Sequence, residues 1–403
     1  MDAITPSSRI SASSDAALPL AIARWADAAG TSVTAVAVRD HAALDRIAAA
    51  LPVFAPESTI LRLPAWDSLP YDRGRPSRAV TGQRIGTLAW LADPDRAERR
   101  AIVVTTPEAL LQRVPPPSRV QERAVPLAFG QDLDPAWLHD TLLGFGYVFD
   151  DRVDEPGEAA IRGGTVDVHL AGESAPIRLE LAEGRIAEIR RYDPLTQRSS
   201  ETIQRALLLP TTEAFTVPGE ALPARGRERL LPDGPLATLF DYLPGAALAL
   251  TEGAEERFGT WLALVRDAWQ VASAAMRAGA PPPDPPDRLF MTEAELHAAL
   301  QAHRPAAIVE PEDGGLPTLA ATALVRRVGA LQAEHQAVVI ATAGAPDRVA
   351  PALARRMGVG PETLVHLPDW TAAEALAPGA IGLLPARFAA GFADDDRTVL
   401  VLR

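Results

Sequence analysis

Between Ile161 and Arg198 the chain alternates apolar and polar residues with period two, a pattern that fits a half-buried sheet and not a helix. Val166, Val168 and Leu170 alternate with polar neighbours, and Ile177, Leu179 and Leu181 do the same. Glu183-Gly184 then turns the chain into a third run that continues through Arg185 to Arg198. The expectation is a small antiparallel sheet with one face on a core and an arginine-bearing polar face. Arg178, Glu180 and Ala182 project to that polar side, opposite Ile177, Leu179 and Leu181. Arg162 immediately precedes the first strand, and His169 alternates outward.

The flanks follow another rule. Ala16–Ala29 has helical spacing and stops at Gly30, Ser32–Val38 is a β-branched run, and Asp40–Leu51 reads as a helix. A strand over Thr59–Pro64, a helix over Arg84–Leu91, a strand over Ala101–Thr105 and a helix from Glu108 continue the alternation. It predicts a parallel α/β layer. Leu207–Pro210 reads as a strand returning to this first domain, an apolar strand follows Pro244, and Glu252–Arg277 is a long helix. Proline crowds Ala280–Pro286, which marks a semi-rigid boundary. Beyond it, helices over Glu293–Ala302, Leu319–Gln332 and Pro346–Met357 alternate with short strands at Ala306, Ala337, Leu364 and Ala380. The sequence stops on the apolar run Thr398–Arg403, which suggests a piece of a longer protein.

Composition removes several chemistries. All 39 basic residues are arginine, so there is no phosphate-loop lysine, Schiff-base lysine or lysine base. There is no cysteine, which excludes disulfides and thiolate sites. A formal net charge of −13 opposes a large nucleic-acid footprint. No run resembles a membrane span or signal peptide, so the expected location is cytoplasmic, with no membrane partner. His297 and His303 fall on different helical faces and the other histidines are isolated, so no metal site is expected. No Gly-x-Ser-x-Gly elbow is present, and Gly144-Phe145-Gly146 reads as a turn. The loop from Trp66 to Tyr71, followed by Asp72, Arg73, Arg75 and Arg78, has two readings. It is either pinned by Trp66 and Leu69 or stacks on nucleic-acid bases.

Several motifs occur together in one order: Asp67-Ser68-Leu69-Pro70-Tyr71-Asp72, Thr106–Arg113, Gly144–Tyr147, Arg162–Val168, Arg191–Arg198, Leu208-Leu209-Pro210 and Leu239–Pro244. Over Leu61 to Leu250 the chain resembles the N-terminal, UvrB-like region of bacterial transcription-repair coupling factor (Mfd). The resemblance implies a degenerate P-loop-like parallel α/β domain in two sequence pieces, 1–125 and 213–280. An inserted antiparallel β-rich (α+β) domain that binds UvrA would span 126–212. A Pro-rich linker over 281–287 and a small C-terminal α/β domain over 288–403 complete the expected organisation.

The implied function is a non-catalytic module that recruits the nucleotide excision repair protein UvrA, regulates an attached or separate DNA translocase, or does both. Catalytic residues, metal and cofactor are none. RNA polymerase and DNA would be reached only through domains absent here. Two family arginines of the UvrA-binding surface match Arg162 and Arg178, while the family's phenylalanine is replaced by Ala182. The plain alternative has both arginines solvated or paired with Glu180. Where a phosphate loop would precede the first helix, Ser11–Ala17 has neither glycine nor lysine, and Thr251–Glu256 supplies no clear magnesium pair. Two other readings remain: a residual nucleotide- or DNA-binding enzyme using Asp15 or Glu252, and a divergent paralogue binding another protein.

Overall fold

The computed structural model describes residues 7–71, 74–215, 230–275, 282–394 and 397–403. The first six residues, Asp72 and Arg73 of the loop after Trp66, and residues 276–281 at the start of the proline-rich stretch lie outside the described residues.

A six-stranded parallel sheet runs in the spatial order Arg9–Ile10, Ala306–Ile308, Ala247–Thr251, Val33–Ala37, Arg100–Thr105 and Ser58–Leu63. The central strand Val33–Ala37 is buried along its whole length, as expected where helices cover both faces of a parallel sheet. Leu18–Ala29 and His41–Phe54 cover one face through Ile22, Leu44, Ile47 and Leu51. Arg78–Ala92 and Ala254–Ala274 cover the other through Ile85, Leu88, Phe258 and Val265. The helix ends are set locally. Asp40 accepts from the Ala43 N–H, Ser77 accepts from the Val80 N–H, and Gly30 takes the left-handed conformation at φ 68°.

Ala306–Ile308 pairs with Ala247–Thr251, so the chain crosses the proline-rich stretch and re-enters the first sheet. Leu289, Phe290, Leu296 and Leu300 join the core of that sheet as well. Pro286, the last residue of the proline-rich stretch, opens a one-turn helix, Pro286–Leu289.

The second sheet is ordered Ser199–Thr202, Arg185–Tyr192, Ile177–Ala182, Thr165–Val168, Glu158–Arg162 and Val148–Phe149. Its neighbours are antiparallel except the last pair. Glu183 and Gly184 both have positive φ, 53° and 77°, as the tight turn between the second and third alternating runs requires. Two expectations change here. His169 lies past the end of its strand and is buried, only 5% exposed, with its ring Nε2 3.2 Å from the Glu173 carbonyl. Arg205–Leu208 pairs with Val125–Ala128 in a two-stranded ladder and does not enter the first sheet. The crossing comes one residue later: Leu208 belongs to the core of the second sheet and Leu209 to that of the first.

A third sheet, in the order Leu364–His366, Ile381–Pro385, Ala337–Thr342, Arg397–Val401 and Phe392–Asp394, is parallel except for its last strand. One of its faces packs on Ala17, Leu20 and Phe54 of the first layer.

Candidate protein-docking face

The polar side of the second sheet is organised by Asp167. In register, Asp167 faces Arg178, and Arg178 faces Arg190 on the next strand. Two hydrogen bonds, 2.6 Å from Nε and 2.9 Å from Nη2, tie the Arg178 guanidinium to the Asp167 carboxylate. These bonds raise the Arg178 pKa further above its ordinary value, against the opposing effect of burial. The same guanidinium lies 5.1 Å from the centre of the Tyr192 ring. Burial first, and the Asp167 charge second, push the Tyr192 phenol up and keep it neutral. Its hydroxyl donates to the Val153 carbonyl at 3.2 Å. Arg162 approaches Asp167 at 3.7 Å and donates to the Asp151 carbonyl, while its side chain stays 54% exposed.

Arg162 and Arg178 therefore converge on one carboxylate, whose side chain is 5% exposed. Glu180 instead accepts from the Thr165 hydroxyl at 3.0 Å, so the anticipated pairing with Glu180 is replaced by one with Asp167. Ala182 ends its strand exposed, opposite Arg185, about 13 Å along the strand from Arg178. The face thus carries two oriented cations and a small residue at its far end.

Sequence reasoning missed Asp167, Tyr192 and Asp151 as members of this face. Alternation does put Asp167 on the polar side, but the long connection from Val168 to Ile177 leaves the register between the two strands unset. For Tyr192 the alternation itself misleads. An irregularity between Ile186 and Glu188 shifts the register, sending Ile189 to the core and Tyr192 to the side of Arg178.

Residues 125–213, which contain this sheet, match the UvrB interaction domain. The chain is similar to transcription-repair-coupling factors. The Myxococcus xanthus protein is 31% identical over 265 residues, covering 55% of this chain and 22% of the relative. The Escherichia coli protein is 31% identical over 157 residues, 39% of this chain and 13% of the relative. That of Bacillus subtilis is 31% identical over 155 residues, 38% and 13% respectively. The matched part of the chain thus spans about a fifth or less of these relatives' lengths.

Outside residues 125–213, the segments with other candidate chemistry are engaged internally. Asp15 makes two contacts to the Arg46 guanidinium, one at 2.8 Å, and its N–H donates to the Asp313 carbonyl at 2.7 Å. Ser13 donates to the Ala393 carbonyl, and a Cβ on Gly315 would lie 2.8 Å from Ala16 Cβ. Glu252 pairs with Arg9 at 3.0 Å. Trp66 is buried and donates to Glu213 at 2.9 Å, so its ring is not presented for base stacking. Among the described residues no three His, Asp or Glu side chains are grouped to hold a metal, and no helix is long and apolar enough to cross a membrane.

Proposed function

We propose that this chain is a non-catalytic module of transcription-repair coupling that recruits UvrA through the face carrying Arg162 and Arg178. The observation that carries this reading is a coincidence of place. The residues matching the UvrB interaction domain are those that build the sheet on which both arginines are held outward. Arginine suits a docking role because its planar fork offers several N–H donors; Asp167 takes two from Arg178 and leaves the others for a partner. Ala182 removes the aromatic anchor that the resemblance implies, and truncating such an anchor at an interface costs about 2 kcal/mol or more.

The inserted unit is taken as 126–212, between the two pieces of a degenerate P-loop-like domain. The filling of Ser11–Ala17 by contacts from Asp313, Gly315 and Ala393 supports loss of nucleotide chemistry there. An attached or separate translocase is a second partner of the same module.

Capture of purified UvrA by the wild-type chain, set beside Arg162→Ala/Arg178→Ala, tests the reading. The wild type retains UvrA and the double variant does not. Equal retention by both, or retention by neither, rules out this face. ATP turnover by the purified chain that disappears in Asp15→Ala or Glu252→Ala would instead favour the enzyme reading.

A further inference from the structure

Leu195 has 81% of its surface exposed, more than any other large apolar residue among the described ones. A single exposed leucine is ordinary. This one is set apart by how rigidly it is displayed and by what stands beside it.

The turn Asp193–Arg198 is closed from within. Asp193 Oδ1 accepts the N–H groups of Leu195 at 2.9 Å and Thr196 at 2.7 Å. The Gln197 N–H donates to the Asp193 carbonyl at 2.7 Å, and the Asp193 N–H donates to the Arg198 carbonyl at 3.0 Å. Gln197 takes the left-handed conformation at φ 59°, and its side chain donates to the Pro194 carbonyl at 2.9 Å. The leucine is thus held at the tip of an ordered turn, so burying it against a partner orders little further backbone.

The turn is also joined to the arginine face. Arg152 donates from Nη2 to the Pro194 carbonyl at 2.9 Å, and the preceding residue, Asp151, accepts from Arg162. Val153, one residue further on, accepts from Tyr192, the ring beneath Arg178. A single loop, residues 150–154, therefore contacts the two docking arginines' surroundings on one side and the leucine turn on the other.

We propose that the docking face extends from Arg162 across this loop to Leu195, and that Leu195 supplies an apolar anchor at the end of the sheet opposite Ala182. The proposal rests on the reading of Arg162 and Arg178 as docking residues. The partner surface it fits is a protein with a shallow apolar socket beside a carboxylate: the socket takes the leucine and the carboxylate takes Arg162.

The test is titration of the full chain against immobilised, purified UvrA. Leu195→Asp weakens binding about tenfold or more, because it puts a charge into the socket. Leu195→Met stays close to wild type. Val271→Asp, a change at another exposed apolar residue on the helix Ala254–Ala274, leaves binding unchanged. Leu195→Asp keeps the wild-type melting temperature, since the side chain is exposed. If Arg162→Ala/Arg178→Ala abolishes binding while Leu195→Asp binds like wild type, the extension is wrong and the arginine reading survives. If Leu195→Asp weakens binding while the arginine pair has no effect, or if Val271→Asp weakens it equally, the shared face is wrong. No binding by the wild type overturns both.

Discussion

At Glu213 one carboxylate accepts from the Arg84 guanidinium at 2.6 Å and from the Trp66 indole at 2.9 Å. Neither charged side chain has exposed surface, and Arg84 also donates to the Pro64 carbonyl at 2.8 Å. Removing one member of such a pair leaves the other charge buried without compensation, which costs about 3–5 kcal/mol. Glu213→Ala is expected to lower the unfolding free energy by that amount in urea titrations; a change below about 1 kcal/mol would contradict the account. His169 gives a prediction of the opposite kind. Burial lowers its pKa from 6.5, only partly offset by hydrogen bonds to Glu173 and Asp154 and by the Glu158 and Glu173 charges. The unfolded chain takes up a proton near the ordinary value and the folded chain resists it. The neutral ring therefore favours folding above that pH, and the contribution fades as the pH falls. The loss of stability between about pH 7 and about pH 5 should be shallower in His169→Gln, read from urea midpoints at both values.

Among the elements, the helix Arg78–Ala92 and the turn at Ala171-Gly172 meet at van der Waals distance. A Cβ on Gly86 would lie 3.0 Å from the Gly172 Cα, and Gly172 itself has φ +79°. Gly86→Ala forces backbone apart on one side or the other, with an expected loss of about 1–3 kcal/mol and a lower melting temperature. The helices and strands of the first layer were largely legible from periodicity, because each buries a continuous stripe that its own residues declare. The helix predicted over Arg84–Leu91 begins at Arg78 because Ser77 caps it, a signal that apolar spacing does not register. Arg162 and Arg178, the arginines of the proposed docking face, were legible as outward residues. Their partner was not, because Asp167 meets Arg178 through a strand register that no local pattern sets. Leu195 was harder still: an exposed leucine in a turn looks like any other until the hydrogen bonds that hold the turn are known.

Over the whole molecule, the third sheet is fixed to the first layer by an aromatic cluster and an ion pair. Phe54 stacks on Phe388 at 5.4 Å and meets Trp370 edge-on at 4.9 Å, while Arg24 pairs with Asp394 at 2.7 Å. Phe54→Ala should cost about 3 kcal/mol, the low end for a phenylalanine because this one is only half-buried. It should also split a single calorimetric transition into two as the third sheet's unit begins to melt separately. The edge of the first sheet carries a different consequence. Ala306–Ile308 covers Ala247–Thr251, an apolar strand, and is itself flanked by Arg9–Ile10. A polypeptide ending in the proline-rich stretch would lack that cover and present Leu248, Ala249 and Leu250 along an unpaired sheet edge. Such a fragment should self-associate through that edge in light-scattering measurements. One that continues through Ile308 should stay dispersed. The practical place to divide this protein is therefore beyond the strand at 306–308, not at its most conspicuous run of prolines.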